Sequence, residues 1–446
     1  MLVFGASIQI MMFITLLTII PFVKRLGYSY KNVEESIFSS MLKALQPSMI
    51  LLTVGILIGS WIASGTVPAL IYYGIQAISP QFFLVSTLIF CSIVSLATGS
   101  SWATLGTAGI AMMGVSQSLG IPAGVTAGAI ISGAYFGDKM SPLSDSTNLS
   151  PAVVGADLMT HIKHMLWTTV PAYLITAIIF TILGMRYGTE SVSSTDVNTL
   201  TGYLADHFNL GIIPFIPVII LFVLLIAKQP AITSIFIGAL SGAVVGILYQ
   251  GSTVSEIVNV FYNGYHVESG IETINTLLQR GGLTSMLPLV ALFLFALGIG
   301  GLLQKSGVLE TIVVSLTSRI KSRGMLVFAT IITAYFTLGI GGSFSFSAVM
   351  TGTLMKPLYD KFNLRPENLS RIIEDCSTQS CSLPPWTASG LFTAAALGVS
   401  PLVYIPFCFM AMITPLFTLI YGITGFTYTE KEKLQVVNDY KKTAEA

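Results

Sequence analysis

Apolar positions along this chain fall in long unbroken runs and do not alternate with polar ones. Runs of about 20 residues recur throughout, each long enough to cross roughly 30 Å of hydrocarbon as a helix. Strands of a transmembrane barrel would alternate in hydropathy, and these segments do not. The pattern predicts an all-α polytopic membrane protein whose first partner is the lipid bilayer. The opening run, 1–23, has no basic leader and ends in Lys24-Arg25, so it reads as a first transmembrane helix and not as a cleaved signal peptide.

Four polar interruptions break the runs: "ATGSSWATLGT" (97–107), "GDKMSPLSDSTNLSP" (137–151), "GIGGSFSFS" (339–347) and "EDCSTQSCSLPPWTASG" (374–390). Glycine and proline there end the helical ladder and free N–H and C=O groups. At membrane depth such groups are tolerated only where protein or a water-lined cavity satisfies them. The interruptions also come in pairs. Sliding the chain by 242 positions aligns Gly59 with Gly301, Ser64-Gly65 with Ser306-Gly307, Gly99 with Gly341, Ser101 with Ser343, Ile130-Ile131 with Ile372-Ile373, and Pro142 with Pro384. Paired breaks in two repeats point to a midplane binding site.

Loop charge sets the direction of each copy. Segment 24–46 carries Lys24, Arg25, Lys31 and Lys43 and reads as cytoplasmic, while its counterpart 250–283 holds Glu256, Glu268 and Glu272 with one Arg280. The bias reverses again between uncharged 66–81 and 308–323, which has Arg319, Lys321 and Arg323. Two inverted-topology repeats with re-entrant or broken helices are therefore expected. Residues 1–188 form the first repeat, 189–210 an external linker, 211–428 the second repeat and 429–446 a cytoplasmic tail. A helix at 212–227 precedes the second repeat. Nothing precedes the matching helix at 5–23: either the first repeat lacks the equivalent, or the given sequence begins inside a longer chain.

Composition sharpens the class. Of 446 residues 53% are hydrophobic and 9% charged, against about 25% charged in soluble domains, and the mean hydropathy is +0.81. A net charge of +1 with no basic patch gives no reason to expect a nucleic-acid partner. The four cysteines form no CxxC pair and read as small buried hydrophobes, and no Walker-type motif is present. No cofactor is expected beyond transported species.

The breaks are rich in oxygen: Ser100, Ser101 and Thr104; Ser141, Asp145, Ser146, Thr147 and Asn148; Ser343; Glu374, Asp375, Thr378 and Thr387. Such donors suit a hard cation such as Na⁺. Four acids in the breaks, Asp138, Asp145, Glu374 and Asp375, would together cost on the order of 10 kcal/mol if deep and unpaired, so they demand a function or partners. Plainer readings stand beside this one. Asp138 and Lys139 can pair locally, Asp145 can cap the next helix, the hydroxyls of 97–107 can bond carbonyls, and Glu374-Asp375 with Arg371 can be a structural network. His161 and His164 in "THIKH" read as a basic helix end at the cytoplasmic surface.

With these residues in view, the chain resembles the NhaC family of Na⁺/H⁺ antiporters, whose relatives include malate/lactate exchangers. The resemblance is carried by "IGSWIASGTVPALIYYG" (58–74), "IVSLATGSSWATLGTAGIAMMG" (93–114), "AGAIISGAYFGDKMSPLSDSTNLSPAV" (127–153), "HIKHMLWTTVPA" (161–172), "LSRIIEDCSTQS" (369–380) and "ALGVSP" (396–401). It departs at "LPPWTASG", where Thr387 follows Trp386 in place of the Asn of a "PWNT"-like break, which touches the identity of the exchanged species. The resemblance implies a plasma-membrane transporter moving Na⁺ and H⁺, with a homodimer kept open as the assembly. Asp138 or Asp145, also the expected metal contacts, would hold either a proton or Na⁺. This requires a buried acid that keeps its proton near neutral pH. Na⁺/H⁺-coupled exchange of malate and lactate is the alternative. An intramembrane hydrolase and a passive channel rank below both.

Overall fold

The computed structural model describes residues 8–77, 79–187, 194–227, 229–271, 274–275, 278–308, 311 and 320–430. Expectations resting on 1–7, 189–193, Glu272, Arg319 and the tail beyond Glu430 lie outside the described residues. Among the described residues the chain is helical, with no strand beyond one antiparallel bridge between Leu364 and Glu430. The first half comprises α1 (Ile8–Arg25), α2 (Tyr30–Met41), α3 (Leu45–Ala63), α4 (Thr66–Ala77), α5 (Phe83–Thr98), α6 (Ser101–Thr104), α7 (Ile110–Ser118), α8 (Ala123–Met140), α9 (Asp145–Val154) and α10 (Leu158–Tyr187). Helix α11 (Ser194–His207) occupies most of the expected linker. The second half comprises α12 (Ile216–Ile226), α13 (Ala231–Leu248), α14 (Val254–Asn263), α15 (Leu283–Lys305), α16 (Arg323–Gly341), α17 (Phe344–Lys361), α18 (Pro366–Ile373), α19 (Ala388–Leu397), α20 (Pro401–Tyr404) and α21 (Phe409–Thr424).

Among the described residues four helices are long and apolar enough to span a bilayer: Pro80–Thr98, Leu158–Tyr187, Leu283–Lys305 and Arg323–Gly341. Two further candidates are bent, Ser48–Ala63 with Thr66–Gly74 at 68° and Ala388–Leu397 with Pro401–Phe407 at 85°. Outward residues of α10 such as Ile178 and Ile182 are exposed apolar side chains, as a lipid-facing surface requires. The chain is a multi-pass helical membrane protein.

Helix boundaries recur with a constant spacing of 243 from α5 onward. Gly99 and Gly342 close α5 and α16 in left-handed conformation, at φ 66° each, which a residue with a Cβ adopts at a cost. Ser100 and Ser343 then cap α6 and α17, each accepting the N–H three residues on. Ser144 and Thr387 cap α9 and α19, which both end in left-handed glycines, Gly155 and Gly398. Identities alone pair Ser101 with Ser343. The caps pair Ser100 with Ser343, one position away. Ser64-Gly65 and Ser306-Gly307, which close α3 and α15, keep the spacing of 242, so one extra residue falls between these two parts.

Two short helices occupy segments whose charge reads as loop. Helix α2 lays Val33, Ile37 and Ser40 on α15, where a Cβ on Gly301 would sit 2.2 Å from Ser40 Oγ. Helix α14 starts with a capping box, Thr253 with Glu256, and lays Ile257 and Val260 on α3, where Gly59 leaves room. A first-half helix thus seats on the second half and a second-half helix on the first. Nearer the site, α8 lies against α5 so closely that a Cβ on Gly133 or Gly137 would meet Leu88 O or Ser95 Cβ at 2.4 Å, and Ser95 Oγ donates to Ala134 O across the contact. That contact fixes the end of α8 from which the acid residues project.

Candidate functional site

Proline and serine stop α8 at Met140, and the chain turns through 141–144 into α9. The turn is held by side chains, not by regular secondary structure. Ser141 Oγ donates to Leu96 O (2.9 Å), Thr147 Oγ1 reaches the carbonyls of Asp138 and Lys139 (2.9 Å each), and Asn148 Nδ2 reaches those of Pro142 and Ser144. Three predicted ligands, Ser141, Thr147 and Asn148, therefore donate their side-chain hydrogens to the freed backbone.

The carboxylate of Asp138 emerges from this end of α8 and accepts from two hydroxyls, Ser101 Oγ at Oδ2 (2.6 Å) and Ser144 Oγ at Oδ1. Ser144 Oγ lies 3.0 Å from Ser146 Oγ. Ser144 caps α9 while holding Asp138, and sequence reasoning passed over it as an individual ligand. Its signal was positional, a serine in the turn six residues after the acid. Asp145 opens the first turn of α9 with Ser144 as the cap, so it is not the capping residue. It is exposed.

Asp138, Asp145, Ser144 and Ser146 line a cavity of about 870 Å³ together with Ser100, Ser101 and Trp102 from the first break. The second half contributes Ser343 and Phe344 at the start of α17, Thr378 of the π-helical turn Glu374–Thr378, and Ala388 and Ser389 at the start of α19. The N-terminal ends of α6, α9, α17 and α19 all open on this space, which places their partial positive charge opposite the two carboxylates. Trp102 is packed on Phe392, with ring centroids 4.5 Å apart and planes at 11°.

The second pair of acids is arranged differently. Asp375 is fully buried and forms an ion pair with Lys139, also fully buried, with Thr168 Oγ1 (3.1 Å) and Thr418 Oγ1 completing its shell. Lys139 thus turns away from neighbouring Asp138, and the local pair offered as the plainer reading does not form. Glu374 accepts Ser150 Oγ at Oε1 (2.6 Å), and its buried Oε2 has no partner. Neither Glu374 nor Asp375 reaches the cavity wall. Thr104 back-bonds to Ser100 O, and Thr387 bonds the carbonyls of Cys381 and Pro384 and the N–H of Gly390. Both serve the backbone.

The histidines are not at a surface. His161 is wholly buried with Nδ1 2.7 Å from Ser370 Oγ, and His164 is nearly so, with Nε2 2.9 Å from Thr427 O. Arg371 lies fully buried between Thr427, which accepts from Nη1 (2.8 Å), and the ring of Tyr428, 5.0 Å away. These contacts hold segment 425–430 over the ends of α10 and α18. Arg371 does not pair with Glu374-Asp375. The sequence hides this cluster because its partners lie more than fifty residues apart.

Among the described residues no three His, Cys, Asp or Glu side chains converge as a metal cage. The donors that do converge, one carboxylate and the hydroxyls of Ser101, Ser144 and Ser146, are hard oxygens of the kind Na⁺ takes.

Comparison with known proteins places this geometry. The profile of the "Na+/H+ antiporter family" matches residues 133–426, which span both acid pairs. The chain is 42% identical over 401 residues to a "Malate-2H(+)/Na(+)-lactate antiporter" of Bacillus subtilis, covering 90% of this chain and 86% of that one. It is 38% identical to the "Na(+)/H(+) antiporter NhaC" of Alkalihalophilus pseudofirmus, over 97% of this chain and 94% of the relative. An "Arginine/ornithine antiporter ArcD" of Halobacterium salinarum is 34% identical, over 94% and 87%. On profile and relatives together, the chain belongs to the NhaC-type Na⁺/H⁺ antiporter family.

Proposed function

We propose that this chain exchanges Na⁺ for H⁺ across the cell membrane, with Asp138 as the group over which the two cations compete. One observation carries the proposal: the Asp138 carboxylate is held by two hydroxyls at the wall of a cavity built from both halves. A serine hydroxyl can donate or accept. Ser101 and Ser144 can donate to ionised Asp138, or turn their lone pairs toward Na⁺ while the carboxylate binds it. When Asp138 is protonated, one hydroxyl can accept the proton's hydrogen bond. The same oxygens therefore serve both loads, and binding one expels the other. Ser146 adds an oxygen, and Asp145 gathers cations at the open side of the cavity.

The recurring caps support a repeated broken-helix unit, and the reversed loop charge supports its inversion about the bilayer midplane with the C-terminal tail cytoplasmic. Rocking of one unit against the other would open the cavity alternately to each side. Glu374, Asp375, Thr378 and the pair formed with Lys139 would hold the second unit's broken helix in register. The test is uptake of radiolabelled Na⁺ into proteoliposomes under an imposed pH gradient. Uphill uptake that disappears in Asp138→Asn supports the proposal; wild-type rates in that variant overturn it.

A second reading follows from cavity size. Na⁺ with six waters needs roughly 200 Å³ at about 30 Å³ per water, well below the 870 Å³ present. Space of this order holds small organic ligands. The 42% identical relative named as a malate/lactate antiporter makes a carboxylic acid, moving with its cations, the alternative cargo. Uptake of labelled malate by the same vesicles separates the two.

A further inference from the structure

The cavity has a chemical character that neither Na⁺ nor a dicarboxylate uses in full. It is lined by two carboxylates, Asp138 and Asp145, and by the aromatic side chains of Trp102, Tyr135, Phe344 and Phe346, while no lysine or arginine is among its lining residues. Trp102 is a rigid wall, stacked between Phe392 and, at 6.4 Å, Phe293.

We infer that the cavity binds a small organic cation: an ammonium group set against Asp138 and Asp145, with its apolar portion on Trp102 and Phe344. Both faces of Trp102 are taken by Phe392 and Phe293, so it offers an apolar edge, while an ammonium over the ring of Phe344 gains cation–π attraction, which strengthens as water is excluded. A dicarboxylate has no side-chain cation to meet and faces two like charges. The inference rests on reading the cavity as the exchange site. In it, the organic cation takes the place of Na⁺ at Asp138.

The probe is phenyltrimethylammonium, whose permanent charge prevents it from carrying protons across the bilayer unaided. Benzenesulfonate, the same ring with the opposite charge, is the comparison. Titration of purified protein by calorimetry should show saturable binding of the cation and at least tenfold weaker binding of the anion. In proteoliposomes the cation should raise the Na⁺ concentration for half-maximal exchange without lowering the maximal rate. Trp102→Leu should weaken the cation at least tenfold more than it weakens Na⁺. Because that change also disturbs the Phe392 stack, Phe344→Leu provides a second wall variant, with the same selective loss expected. Equal binding of cation and anion, or undisturbed exchange at saturating cation, overturns the inference while leaving Na⁺/H⁺ exchange intact. Cation binding in a protein that shows no Na⁺-dependent proton movement would instead uphold the inference and remove the exchange function.

Discussion

The two halves use one pattern of caps and breaks for opposite ends. In the first, Asp138 sits two residues before the end of α8 and faces the cavity with two hydroxyls, and no cation, as its side-chain partners. In the second, at a spacing of 243, the matching position is Cys381, a small buried thiol. The acids there have moved back into the π-helical turn, and Asp375 is closed off by Lys139, Thr168 and Thr418. A π turn shifts the side-chain register and is common at functional sites. Here it lets one helix direct Asp375 toward Lys139 while Thr378 faces the cavity. The comparison teaches that a shared backbone does not imply a shared duty. On the proposed reading, one half presents an acid for exchange, and the other spends Asp375 on an ion pair between the halves.

If that division is right, Asp138→Asn should reduce Na⁺-driven exchange to background while leaving thermal unfolding in detergent nearly unmoved. A large loss of unfolding temperature with retained exchange would reverse the assignment. Asp375→Asn should do the opposite. It leaves the Lys139 ammonium buried without a counter-charge, a situation that costs about 3–5 kcal/mol. The double change Lys139→Met with Asp375→Leu should recover much of that stability, since an apolar pair of similar volume often substitutes for a buried ion pair.

The hydroxyls sharpen the contrast at smaller scale. A hydrogen bond to a charged group contributes about 1.5–3 kcal/mol, so Ser101→Ala should raise the Na⁺ concentration for half-maximal exchange by about tenfold or more. Thr387→Ala, at the second-half cap that matches Ser144, should cost about 1 kcal/mol of stability and leave Na⁺ half-saturation in place. Equal shifts in half-saturation for both variants would erase the distinction between the halves.

The smallest effect lies outside the membrane. Asp157, just before α10, accepts from the Thr160 N–H (2.9 Å) and hydroxyl (2.8 Å), and these bonds hold its carboxyl below the usual carboxylate range. A depressed carboxyl stabilises the fold at pH values above the free value of about 3.9, and the contribution is lost as pH falls through the depressed value. Unfolding temperature measured from pH 6 downward should therefore fall slightly more steeply for the parent than for Asp157→Asn.

The breaks were legible because their cause is local. Glycines at positive φ, serines at caps and prolines at first turns act within four residues, so "ATGSSW" and "GIGGSF" announce the ends of α5 and α16 from composition alone. Asp138 was legible for the same reason, as an acid in a break. The Lys139–Asp375 pair was not, because its members are 236 positions apart and Lys139 has a nearer acid in sequence. The burial of His161 and His164 was also hidden. Two histidines beside a lysine look like a surface until segment 425–430 covers them. Helices α2 and α14 escaped because their polar residues set the loop charge, while their apolar face is only a few residues wide.

The crosswise seating of α2 and α14 bears on how the chain is made. Helix α2 leaves the ribosome long before α15 exists, so its apolar stripe must lie in the lipid headgroups until the distant half is inserted. The first half therefore stays an open intermediate through much of synthesis, and a chain truncated before α15 would carry an unsheltered, sticky helix that quality-control proteases can grip.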